Sequence, residues 1–272
     1  MGSDRRLFET RRKLELFWRA RSQGEKIGLG VAAALLVLLV LRVCVSDTNN
    51  LFIMAEGVHF IGLGWLVWKL TKEQTCSGLS LKMQEMTALF LGVRLYCSIT
   101  MEWNEHTLLD LLTLGVTVWV IYMMRVPLKH TYNSDLDSFN VLYIIGPCAL
   151  LAFVAHPGFD TGHMFFNRVL WGFCVFIESV SVLPQLSMMQ QAQVVERSLA
   201  NYIFALGVAR FLSCAHWLLQ LEYFFVAMGS IWGCAVVLSE GVQTFILADF
   251  CYWYLKSLAE GAGVVRLPSG VV

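Results

Sequence analysis

Long apolar blocks and short polar breaks alternate along this chain. The blocks run over about residues 27–46, 51–70, 81–101, 107–124, 140–156, 166–187, 200–221 and 230–255. Each is near the ~20 residues that an α-helix needs to cross a hydrocarbon core. None shows the strict apolar/polar alternation of a barrel strand, and closed barrels are the only other backbone solution inside lipid. The pattern therefore predicts an all-α polytopic membrane protein with eight spans.

The breaks carry an orientation. Ahead of the first block lies a basic head, 1–26, with Arg5, Arg6, Arg11, Arg12, Lys13, Arg19, Arg21 and Lys26. Its charge places it in the cytosol, and alternation then puts Lys69, Lys72, Arg125, Lys129, Arg197, Lys256 and Arg266 on the same side. The opposite breaks carry acids instead: Asp47, Glu102, Glu105, Asp160 and Glu222. Both termini are expected in the cytosol. The block at 27–46 reads as a retained anchor, because its apolar core is too long for a signal peptide and "RVCVSDTNN" offers no small-residue cleavage site. Arg6 stands where a myristoylation motif requires Ser or Thr.

Composition agrees with the pattern: 57% of the 272 residues are hydrophobic and 15% are charged. A net charge of zero gives no reason to expect nucleic acid as a partner. The eight cysteines show no CxxC or Cys/His spacing that would hold zinc, and no nucleophile motif is present, so neither a metal, a cofactor nor an enzyme is expected.

An internal echo organises the blocks. "LGVRLYCS" (91–98) resembles "LGVARFLSC" (206–214), and both fall in spans that rise away from the cytosol. Same-direction repeats predict two three-helix bundles related about the membrane normal, joined by a linking helix at 140–156. Arg94 and Arg210 belong to these echoed stretches, and Glu178 lies within "WGFCVFIESVSVLPQL" (171–186). An ionised group at the centre of a span costs about 2.5–3.5 kcal/mol, so all three must pair or face water. Arg168, Trp171 and Glu178 sit at i, i+3 and i+10; Arg210, Ser213, Trp217 and Gln220 sit at i, i+3, i+7 and i+10. Each set is one helix stripe, and two facing stripes would line a wet cavity that opens away from the cytosol. A purely structural salt bridge between the bundles is the competing reading.

"TCSGLSLKMQ" (75–84), "VRLYCSIT" (93–100), "FIESVSVLPQL" (176–186), "YIFALGVARFL" (202–212) and "GVQTFILADFCYWYL" (241–255) together resemble the ER-lumen protein-retaining receptors, or KDEL receptors. The resemblance spans about 50–256. It implies a seven-helix core of the SWEET/PQ-loop type (3+1+3), to which 27–46 is an additional helix and 257–272 a cytosolic tail. It also implies a receptor in ER and Golgi membranes that binds the C-terminal peptide of lumenal proteins, with vesicle coat proteins and membrane lipids as further partners. Under the same resemblance Arg94 takes the signal's terminal carboxylate. Glu178 and Arg210 form the pair that rearranges on closure, Trp171 and Trp217 wall the pocket, Asp249 is an acid of the last helix, and His59 falls one place from a proton-sensing histidine.

Several positions depart from the family pattern. Ile53 and Gln220 stand where arginines receive acidic side chains of the signal, Cys97 replaces an aspartate, Ala209 a tyrosine, and Arg168 the glutamate that meets the signal's basic leading residue. The expectation is altered signal specificity, with Arg168 repelling a basic leading residue. The tail lacks the family's coat-facing lysines, which leaves Arg5-Arg6 or Arg11-Arg12 for sorting. The alternative is a SWEET-like small-solute transporter, which fold alone does not exclude.

The topology is testable directly. A glycosylation sequon engineered after Thr100 or after His156 is expected to be modified, and one before Lys26 or after Leu258 to stay bare. Modification of the head would overturn the eight-span arrangement.

Overall fold

Helix boundaries follow the polar breaks closely. The computed structural model describes residues 49–101, 103, 105–158, 162–220 and 230–267, with isolated positions before residue 43. The basic head and most of the span at 27–46 lie outside the described residues. Met1–Asp47 forms a unit distinct from Thr48–Val272. Within the first unit, Ser22 and Glu25 exchange side-chain-to-backbone hydrogen bonds, the reciprocal pattern of a helix capping box.

In the second unit, α1 (Asn49–Trp68) runs into a π-helical turn at Lys69–Glu73, followed by α2 (Leu81–Met101), α3 (Glu105–Arg125) and α4 (Leu142–Val154). Then come α5 (Phe165–Val180), α6 (Leu183–Ala192), β1 (Val194–Glu196), α7 (Arg197–Leu219), α8 (Ser230–Ala259) and β2 (Val264–Arg266). Among the described residues, five helical stretches are long and apolar enough to cross a membrane, namely those of α1, α3, α5–α6, α7 and α8. The expected spans at 81–101 and 140–156 fall outside that set. α2 carries Lys82, Glu85 and Arg94, and α4 has only 13 residues with Pro147 inside it.

Helix contacts obey the internal echo. α1 packs along α7, and α2 along α5. Exchanging the triplet α1–α2–α3 for α5–α7–α8 converts one of these contacts into the other. The same exchange carries the α2–α3 contact onto α7–α8, and the α1–α3 contact onto α5–α8. The α1–α7 seam is tight because position 62 lacks a side chain: a Cβ there would stand 2.9 Å from the Cβ of Ala205. α4 packs on α5, as a linker between triplets must.

The expected span at 166–187 is broken at Ser181-Val182. Pro184, in the first turn of α6, has no N–H to continue α5's ladder, so the helix restarts there. The Ser181 hydroxyl donates to the carbonyl of Glu178 at 2.9 Å. Next to the proline, fully buried Gln185 clasps the turn before α2: its Oε1 accepts from Ser80 N at 2.9 Å and its Nε2 donates to Gly78 O at 2.7 Å. The Ser80 hydroxyl donates to buried Asp137, which also accepts from Tyr132 Oη and Lys82 N. Burial and this carboxylate hold the Tyr132 phenol above its ordinary pKa, keeping it a donor.

Lys69, expected on the cytosolic side, is wholly buried and bonded to Glu73 and Glu196. The all-α expectation needs one small amendment, a two-stranded sheet that involves the expected tail. Val264–Arg266 pairs antiparallel with Val194–Glu196, burying Val265, and Leu267 N extends the ladder to Gln193 O.

Gln185→Ala leaves the buried Ser80 N–H and the half-buried Gly78 carbonyl without these partners. The expected cost is about 1–3 kcal/mol, read as earlier thermal unfolding of the detergent-purified protein. An unchanged melting temperature would show that the clasp contributes nothing.

Candidate functional site

Ionised side chains that are costly singly become tolerable when their helices bring them together. Glu178 of α5 receives Arg94 Nη1 of α2 on Oε2 at 2.9 Å, and Arg210 Nη1 of α7 on Oε1 at 2.5 Å. Arg94 and Arg210 sit on corresponding helices of the two triplets, α2 and α7, so a single carboxylate ties both triplets together. Gln243 of α8 donates to the backbone carbonyl of Glu178 at 3.2 Å, which fixes the carboxylate's own turn of helix.

Arg94 has a second acid. Asp110 of α3, 4% exposed, takes its Nε at 3.0 and 2.9 Å and also accepts from Nη2. A guanidinium carries five N–H bonds, and this bidentate grip plus Glu178 leaves one on each terminal nitrogen for another acceptor.

Arg94, Glu178 and Arg210, but not Asp110, line a cavity of about 190 Å³, large enough for about six water molecules at liquid density. Its walls come from α1, α2, α5, α7 and α8. Arg94, Glu178 and Arg210 share it with Trp171, Trp217 and His59, so six of the expected site residues meet there. The stripe geometry explains this: Trp171 and Glu178 are seven residues apart on α5, as are Arg210 and Trp217 on α7.

The other expected positions lie elsewhere. Arg168 is 1% exposed and donates from Nη1 to the Pro157 carbonyl at 3.1 Å, because the first turn of α5 tucks under the segment that follows α4. It lies outside the cavity lining. Cys97 is buried with its Sγ against the Asn167 carbonyl at 3.8 Å. Gln220 caps α7, its N–H shared between the carbonyls of His216 and Trp217. Asp249 and Ile53 are exposed on the outer faces of α8 and α1, whereas Ala209 lines the cavity.

Sequence reasoning missed Asp110 and Glu240. Both were legible as acids inside predicted spans, Asp110 in "LLDLL" and Glu240 in "LSEGV", and Glu240 lines the cavity with Glu56, Phe52 and Trp232. Among the described residues, no three His, Cys, Asp or Glu side chains gather as a metal site.

The ion-pair geometry makes a stability prediction. Arg94→Ala strands Asp110 and half of Glu178's pairing, at an expected cost of about 3–5 kcal/mol. Removing Asp110 as well, in Arg94→Ala/Asp110→Ala, should recover part of that loss. Additive losses in thermal unfolding would dissolve the coupling.

Comparison with known proteins points one way. Residues 75–220 match the family described as ER lumen protein retaining receptor. A protein of Entamoeba histolytica named ER lumen protein-retaining receptor is 29% identical over 219 residues, covering 79% of this chain and 98% of the relative. One of Dictyostelium discoideum with the same name is 28% identical over 220 residues, with 79% and 98% covered. One of Drosophila melanogaster, also so named, is 31% identical over 217 residues, with 78% and 96% covered.

Proposed function

Because this chain belongs to the ER lumen protein-retaining receptor family, we propose that it is a membrane receptor for C-terminal retention signals of lumenal proteins, binding them in the cavity around Arg94, Glu178 and Arg210. The observation that carries this reading is the cavity itself, in which two guanidiniums share one carboxylate beneath tryptophan walls. A terminal carboxylate entering there meets the two remaining N–H bonds of Arg94. It also competes with Glu178 for both arginines, so its arrival loosens the joint between the triplets. The cavity of about 190 Å³ seats the carboxylate end of such a signal. Ligand recognition and helix rearrangement are then one event.

In this reading the pocket faces the lumen, both termini are cytosolic, and the protein moves between Golgi and ER. Coat recognition falls to the arginine pairs of the head. The solute-transporter alternative is not favoured, since the relatives are named as receptors.

Peptides with a free C-terminal carboxylate should bind the full-length protein in nanodiscs at least about tenfold more tightly than the same peptides amidated. Arg94→Lys keeps a cation for Asp110 and Glu178 but loses the planar fork, and should erase most of that preference. Equal binding of acid and amide would reject the reading.

A further inference from the structure

Glu240 follows Trp232 and Val236 at i+8 and i+4 on α8, and all three line the cavity. Its Oε2 is buried and has no hydrogen-bond partner. On the neighbouring α7, the Nε of Arg210 is also buried without one. The repeat makes the pair informative. Exchange of the triplets carries α3 onto α8 and α2, which bears Arg94, onto α7, which bears Arg210. On α3, Asp110 closes on the Nε edge of Arg94. On α8, Glu240 lines the cavity with Arg210 but leaves its Oε2 open, and the corresponding Nε edge stays open too.

Charge points to what fills that oxygen. Arg94 and Arg210 are matched by Asp110 and Glu178, two cations against two anions. Glu240 is a further acid for which this quartet holds no cation. A buried carboxylate oxygen with no donor is costly, and a ligand that brings a charge-assisted donor removes the cost. The cavity also presents Trp171, Trp217 and Trp232, whose ring faces attract cations. Arg168, the residue expected to oppose a basic ligand group, faces the Pro157 carbonyl instead.

We propose that Glu240 is the cation subsite of this pocket: it receives the ammonium or guanidinium of a lysine or arginine within the last four residues of the bound peptide, while the peptide's carboxylate goes to the arginines. This rests on the peptide-receptor reading above and names a specificity-determining residue for it. Recognition is then bipolar, with the anionic and cationic groups of one ligand each meeting an opposite charge, and neutral C-termini are disfavoured.

The experiment compares synthetic peptides carrying lysine at each of the last four positions with the same peptides carrying N-acetyl-lysine, all with free carboxylates, on the full-length protein in nanodiscs. At one position lysine should bind about tenfold or more tightly than acetyl-lysine. In Glu240→Gln that ratio should fall close to one, and in Glu240→Asp it should survive in part. A wild type without the preference, or a Gln variant that keeps the wild-type ratio whatever its absolute affinity, overturns the subsite. A second measurement needs no variant: carbodiimide coupling of the bound lysine peptide to the unaltered receptor should form an amide to Glu240, located by mass spectrometry. A bound peptide that couples only to other carboxylates overturns the assignment. Failure of the underlying reading looks different, because peptide acid and peptide amide would then bind alike.

Discussion

Glu178 between two arginines is the joint on which this molecule depends. In an apolar medium no one of the three charges is affordable alone, so α2, α5 and α7 must meet at one depth for the chain to fold. The requirement is stricter than hydrophobic packing. A leucine can slide a turn along its neighbour at modest cost, whereas a carboxylate that loses its guanidinium in lipid has nowhere to go. The ion pairs thus set the relative height of the two triplets, and the tight seam at Gly62 and Ala205 sets how closely they approach.

The repeat supplies the positive charges symmetrically, but the acids do not follow it. Asp110 grips the Nε edge of Arg94, while the matching edge of Arg210 is open, and Glu178 comes from one triplet only. One half of the site is therefore held rigidly and the other is left with unmatched polar groups. That division suits recognition, where a fixed anchor and an adaptable contact perform different tasks.

Much of this was legible in the sequence. Arg94, Glu178 and Arg210 stood out because charge inside a span demands a partner, and Trp171 and Trp217 because helical spacing placed them on the same stripes. Other features were hidden for physical reasons. Arg168 falls on the stripe at i−3 from Trp171, yet the loop after α4 supplies a carbonyl that turns it away, and loop geometry has no periodic signature. Asp110, near the start of its expected span, has no one-dimensional mark that separates an acid gripping a neighbouring helix from one at a helix end, whereas Glu240, mid-span, carried the same charge-inside-a-span signal as Glu178. The ladder joining 194–196 to 264–266 uses strands too short to show a period and too distant to suggest a turn. The break at Pro184 was not read from the sequence, because hydrophobicity runs through it and the expected span at 166–187 was continuous.

That break has a mechanical consequence. α6 is clamped by Gln185 to the turn before α2, while α5, beyond the interruption at Ser181-Val182, carries Glu178 and Trp171 to the cavity wall. α5 is a lever 16 residues long with its fulcrum at a discontinuity where Pro184 has no N–H to give to the helical ladder. A rotation of roughly 10° there sweeps its far end through about 4 Å, given a rise of about 1.5 Å per residue. The mouth of the pocket can thus change width by more than a methyl group while the clamped end keeps its register, so aperture and scaffold are mechanically separate properties of one continuous stretch of chain.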